Sequence, residues 1–373
     1  MMKHKLKEKD VDALACGALF LGSGGGGDTS LLQIMAKQAI RENGPVSLLS
    51  PFDLPDDAWI VCSGLMGSPA IHFEKMMSGD ELVAALRVLE REKQIQAMAI
   101  AGLEIGGINA MAPLVTAAKT KLPLIDCDGM GRAFPEFQMT TYHAFGVQAA
   151  PLVICSNHDD WRYFSGSSNY EIEKAARFVL PEMGGSVAAA CVPMRAAMMQ
   201  ETALHHTFTV AKRIGQSVIA AGTDIHRVFA NLSADLQNSI YGKPHKLTEG
   251  KIVDLQRYLQ DDFMRGELVI EGTGFHHSEQ IEVRFQSEYL LAKEGKRAVA
   301  MVPDLICVLD ADNGLPLLIE ELELHMKVWL IAIPAPVLLR HPKMLDVVGP
   351  WNFGVSDTYT PVEQLVAEAG DWR

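Results

Sequence analysis

Gly22-Ser23-Gly24-Gly25-Gly26-Gly27-Asp28 places five glycines in six positions and closes them with an acid. A backbone this free of Cβ atoms takes positive φ and comes close to whatever it touches. Downstream, Leu31, Ile34, Met35 and Ala39 recur at helical spacing, so the loop delivers the chain to a helix N-terminus, where N–H groups and the dipole favour an anion. Upstream, Val11–Phe20 also reads as a helix. The run fits Gly-x-Gly-x-x-Gly at Gly22, Gly24 and Gly27. A dinucleotide fingerprint follows a strand, however, and no Lys-Ser/Thr closes the run as in a P-loop, so no nucleotide is expected. Two readings stay open: a substrate-site wall made of Gly24, Gly25, Gly26 and Gly27, or a tight turn between helices. Asp28 either caps the second helix or meets a substrate or metal.

Beyond the loop, Trp59–Cys62, Met98–Ala101, Leu122–Ile125 and Leu152–Cys155 are short apolar runs of buried-strand type. Amphipathic segments lie between them. Ser78-Gly79-Asp80-Glu81 and Ser168-Asn169-Tyr170-Glu171 have capping-box form, with the serine as N-cap. This alternation predicts an α/β N-terminal domain with a mainly parallel sheet over residues 1–165. Residues 166–245 read as a mostly helical extension, with a short strand near Val187–Val192 and helix formers over Met194–Ala221. From Lys251 the texture changes to strand-like runs and turn signals, which predicts a smaller β-rich C-terminal domain over 246–373.

The 373 residues exceed one typical core, and 48% hydrophobic with 21% charged residues suits a folded chain. A net charge of −13 disfavours nucleic acid and anionic membrane surfaces. No membrane-length apolar run or signal peptide is seen, and six scattered cysteines without a Cys-x-x-Cys pair suit reduced thiols, so a cytoplasmic protein is expected.

Polar residues cluster just after the strands, where open α/β sheets bind ligands. Asp126-Cys127-Asp128-Gly129-Met130-Gly131-Arg132-Ala133-Phe134-Pro135-Glu136 is the richest segment. Asp126 and Asp128 lie on one side if the strand continues and could share a divalent metal ion with Glu104. Arg132 could clamp a substrate carboxylate, and Glu136 is a candidate acid or base; a plain Asp-Gly turn with a surface ion pair is the alternative. Glu104, at a strand end beside Gly106-Gly107, is a candidate general base, while Asn109 either binds substrate or caps a helix carrying Met111, Leu114 and Val115. Cys62 and Cys127 read as core. His72 and His143 are the two histidines worth testing.

Together, the glycine run, Leu103–Gly107, the Asp126–Glu136 string with Gln138-Met139-Thr140, Val302–Cys307 and the Gly349-Pro350…Phe353-Gly354 stretch resemble the S-methyl thiohydantoin desulfurase family. The resemblance runs nearly end to end. It implies an α/β domain followed by a β-rich one, a link to hydantoin metabolism, and hydrolysis of a thiohydantoin C=S to C=O with loss of sulfide. For such a hydrolase the clustering at the strand ends, not the resemblance, nominates Glu104, Asp128 and Glu136 for the acid–base work. Gly24–Gly27, Asp28, Asn109 and Arg132 are the expected small-molecule substrate contacts, and some of Asp126, Asp128 and Glu104 could hold a divalent metal ion; without one, Glu104 or Glu136 is the base. The rival expectation is a non-catalytic accessory subunit of a hydantoinase/oxoprolinase-like partner. A homo-oligomer is left open.

Overall fold

The computed structural model describes residues 4–67, 77–156, 160–166, 168–260, 263–273 and 280–368. The strands in chain order are β1 (His4–Leu6), β2 (Val46–Leu49), β3 (Trp59–Gly67), β4 (Ala97–Gly102), β5 (Leu124–Ile125), β6 (Cys127–Asp128), β7 (Leu152–Cys155), β8 (Trp161–Phe164), β9 (Ser186–Arg195) and β10 (Leu204–His205). Then follow β11 (His245–Gln260), β12 (Phe263–Gly272), β13 (Gln280–Gln286), β14 (Glu288–Glu294), β15 (Arg297–Met301), β16 (Leu305–Asp310) and β17 (Lys327–Ile333).

The expected pairing of an α/β part with a β-rich part is the architecture of the chain. Among the described residues, the first sheet has the order β1-β2-β5-β4-β3-β9-β7-β8. Its β2-β5-β4-β3 centre is parallel, and β1, β9, β7 and β8 join antiparallel. The apolar runs around 60, 100, 124 and 153 are buried because helices cover both faces, which removes any need for alternation. The second sheet, β15-β14-β13-β12-β11-β17-β16, is antiparallel throughout. There the period of two returns and serves two cores at once. Leu305, Cys307, Leu309, Trp329, Ile331 and Ile333 belong to the core of the first part, while Ile306, Val308, Val328 and Leu330 face the second sheet's own core.

Helix α1 (Glu8–Gly22) holds the glycine loop and packs on the helix Thr207–Ala221. The two backbones touch through Gly17 and Gly215: a Cβ on either would lie 1.7 Å from the carbonyl oxygen of Ala211 or Ala13. Two local expectations are corrected. Met194–Ala221 is not one helix. After the helix Ala196–Thr202 the chain extends so that Leu204 and His205 pair with Asp128 and Cys127 as β10–β6, and His206 (φ 66°) turns it into the next helix. Sheet pairing with a distant segment overrides helix propensity there. The helix Asp80–Lys93 starts after Gly79, not Ser78; Glu81 still reaches back to accept from Ser78 N and Oγ. Among the described residues, no helix is long and apolar enough to cross a membrane.

Candidate functional site

Helix α1 ends in left-handed Ser23 (φ 52°), whose Oγ donates to Ile306 O (2.8 Å) and accepts from Ile306 N (3.0 Å). The loop carbonyls then meet three segments: Tyr289 N donates to Ser23 O (2.8 Å), Ile319 N to Gly24 O (3.0 Å) and Ile108 N to Gly26 O (2.9 Å). Side chains are excluded at Gly24 and Gly25. A Cβ on Gly24 (φ +85°) would lie 2.2 Å from the Tyr289 ring, and one on Gly25 would lie 2.3 Å from Ser287 O. The loop is thus the junction where β14 and β16 seat on the α/β part. Asp28 Oδ1 accepts from Ser30 N (2.7 Å) and Ser30 Oγ (2.6 Å) at the start of α2 (Ser30–Asn43), whose N-cap residue is Thr29. The N–H groups of Gly27 and Asp28 have no acceptor among the described residues.

Glu104 leaves the end of β4 and is buried. Its Oε2 accepts from Asn109 Nδ2 (2.7 Å) and its Oε1 from Phe134 N (3.2 Å). Burial outweighs those donors and, with Asp128 nearby, lifts its pKa to about 8. Asn109 is not the helix cap the sequence allowed. It sits in the 3-10 turn Gly107–Ala110 and binds the edge of β3, accepting from Leu65 N (2.7 Å) and donating to Leu65 O (3.3 Å). The helix beyond it starts at Ala112. Asp128, fully buried, accepts through Oδ2 from Ile105 N (3.0 Å), Met130 N (2.9 Å) and Gly131 N (2.7 Å). Burial again prevails over these N–H groups and sets its pKa at about 7.

Arg132 is also fully buried, and its fork closes on the protein itself. Nε donates to Ala133 O (3.0 Å), Nη1 to Pro303 O (3.3 Å) and Asp304 O (2.9 Å), and Nη2 to Tyr289 O (3.3 Å). With four carbonyls on one guanidinium, the expected clamp on a substrate carboxylate is replaced by a tie between the two domains. Burial lowers its pKa to about 10, and Glu288, Asp304 and Glu104 act against that fall.

Glu288 escaped the sequence reading. It opens β14 behind Ser287, where a turn-flanking acid reads as a solvated strand end, and no local signal marks it otherwise. It is in fact buried, with Oε1 lying 2.5 Å from the place a Gly25 Cβ would occupy. Its pKa is pushed well up, first by burial and then by Glu104, while Arg132 and the Gly26 N–H act in the opposite sense.

The structure therefore brings together the glycine loop, Glu104, Asn109, Asp128, Arg132 and Glu288. It parts Asp126 and Asp128, because the strand breaks between β5 and β6. Asp126 accepts from Thr209 N (3.0 Å) and Thr209 Oγ1 (2.5 Å), with His206 Nδ1 at 3.5 Å. Glu136 accepts from Gln138 Nε2 and adds its charge to the side of Glu173, on the helix Asn169–Val179. His143 is half-buried, with Nδ1 2.7 Å from Asn169 Nδ2; His72 lies outside the described residues. Cys62 and Cys127 are buried core thiols whose pKa burial raises. Among the described residues, no three His, Cys, Asp or Glu side chains are grouped to hold a metal ion. A surface hollow of about 260 Å³ lined by Phe229, Lys243, His245 and Val299 includes none of the carboxylate cluster.

Comparison with known proteins places both halves. The profile of the S-Me-THD-like, N-terminal domain matches residues 9–166, and that of the S-Me-THD-like, C-terminal domain matches residues 167–362. No curated protein matches. A crystal structure of a protein from Chromobacterium violaceum has a TM-score of 0.82 at 21% identity, covering 96% of this chain and 100% of that chain. At that identity the likeness concerns the fold.

Proposed function

Because this chain belongs to the S-Me-THD-like family, with both of its domains present in order, we propose that it is a hydrolase of a cyclic (thio)amide, converting a thiohydantoin C=S into C=O. In this reading the Glu104 carboxylate takes a proton from water as the water oxygen bonds to the thiocarbonyl carbon. The C–S bond then breaks, the second water proton leaves the new C=O, and sulfur departs as hydrogen sulfide carrying both protons. The N–H groups of Gly27 and Asp28 would meet the negative charge that develops on sulfur. Asn109, only partly buried and bonded to Glu104, fixes the plane of the base.

The observation that carries this reading is Glu104 itself. A buried carboxyl poised at about 8 exchanges protons near neutral pH, where an ordinary glutamate is fully ionised and only a weak base. The test incubates the full chain with thiohydantoin and hydantoin panels, with and without chelator, and measures sulfide and ring opening. Sulfide release that falls by roughly a hundredfold or more in Glu104→Gln supports it. No turnover on any thiohydantoin, or full activity in that variant, overturns it. Sensitivity to chelator would return a metal to the scheme.

A further inference from the structure

We propose that the C-terminal domain carries a second binding site, a cavity on β11, β12 and β13 that takes a small monocarboxylate with an apolar body. It shares no residue with the carboxylate cluster and stands apart from the hydrolase reading. The ladder explains how the cavity arises. Gln256 pairs with Glu267 and Tyr258 with Arg265, and these pair in turn with Arg284 and Gln286. Directly paired residues point to one side of a sheet, so all six stand on one face. Their neighbours Leu268, Val283 and Phe285 belong to the core on the other. Buried Leu290, Phe353 and Val355 supply an apolar wall, and the enclosed space is about 280 Å³. A cavity of about 150 Å³ holds a benzene ring, so this one has room for a ring and a carboxylate group.

The charges on the lining select the ligand. Arg265 and Arg284 stand there against one acid, Glu267, in a chain whose net charge is −13. The cavity is therefore a local positive region on an acidic protein, which draws an anion to this place. Arg284 lies directly across the ladder from Glu267, yet its side chain makes no ion pair or hydrogen bond among the described residues. Its N–H donors are uncommitted. Arg265 is its diagonal neighbour on β12. Diagonal ladder positions lie about 7–8 Å apart, a span that two guanidinium groups close by meeting one carboxylate from either side. A single negative charge satisfies that pair. A phosphate dianion would bring a second one beside Glu267, and the two would repel. The wall of Leu290, Phe353 and Val355 asks for hydrocarbon, so the ligand is a carboxylate on an apolar body.

The test titrates the full chain by calorimetry with acetate, phenylacetate and phenylpropionate, and with phenylpropionamide and inorganic phosphate beside them. The titrations are repeated in Arg284→Gln and Arg284→Lys. Arg284 is exposed, so both variants should keep the parental urea midpoint. An aryl carboxylate should saturate one site with a Kd of about 1 mM or tighter. Acetate, which lacks the apolar body, and the amide, which lacks the charge, should each bind at least about tenfold more weakly. Arg284→Gln should weaken the carboxylate about tenfold. Arg284→Lys should recover only part of that loss, because an ammonium restores the charge without the planar fork. Saturation by none of the three carboxylates, parental affinity in Arg284→Gln, or phosphate binding as tightly as phenylpropionate each overturns the proposal. The hydrolase reading survives all of these results, because the titration reads binding without turnover.

Discussion

Replacing Glu104 by glutamine should flatten the dependence of stability on pH. The folded chain binds a proton at Glu104 more tightly than the unfolded chain, since burial lifts its pKa from the usual 4.5 to about 8. What this site contributes below pH 4.5 is therefore lost as the pH climbs toward 8. At about 1.4 kcal/mol per pH unit, the full loss is on the order of 5 kcal/mol, of which most falls between about pH 5 and 9. That is a large share of the ~5–15 kcal/mol that keeps a protein folded. Glutamine never ionises, so its variant should lose that share of the slope. Asp128, with a pKa of about 7, and Glu288 keep part of it. The variant will also carry a constant offset, because both Glu104 oxygens meet donors, Asn109 Nδ2 and Phe134 N, and an amide offers only one acceptor. The slope is free of that offset. Urea midpoints of parent and variant across the pH range give the comparison. Two stability profiles that run parallel would refute the reasoning, because Glu104 would then titrate alike in the folded and unfolded chains.

Three further outcomes follow from the same geometry. Gly24→Ala should destabilise the protein by about 3 kcal/mol, seen as a lowered Tm, since it adds a Cβ at φ +85° against the Tyr289 ring. Arg132→Lys should cost about 3 kcal/mol in urea unfolding, because a lysine cannot reach the carbonyls of Ala133, Tyr289, Pro303 and Asp304 together. Asp304→Asn should loosen the C-terminal segment, read as faster proteolysis beyond Arg340. Asp304 accepts from Ala335 N (2.7 Å), Tyr359 Oη (3.0 Å), Arg340 Nη2 (3.3 Å) and Val362 N (2.8 Å), and an amide nitrogen would turn one of these into a clash of donors.

Local rules carried the sequence reading where local physics decides. Periodicity located α1, α2 and most strands, and Ser168 does accept from Glu171 N as the N-cap of its helix. The change of texture near Lys251 matches the start of β11 at His245. The same rules failed where a partner lies far along the chain. Leu204–His205 is strand because β6 is beside it, and Asn109 leaves its cap position because Leu65 and Glu104 compete for its amide.

By itself, the sequence determined that two helices meet at a glycine run, that acids gather at the strand ends, and that a β-rich part follows. The tertiary structure alone decided what the glycines face. They admit the Tyr289 ring and the Glu288 carboxyl, and Ser23 bonds to Ile306 across 283 residues. It likewise turned Arg132 inward onto carbonyls and sent Asp126 and Asp128 to different neighbours. The reason is that glycine spacing sets how closely two backbones can approach, whereas the identity of the second backbone is fixed by packing between segments that no local pattern connects.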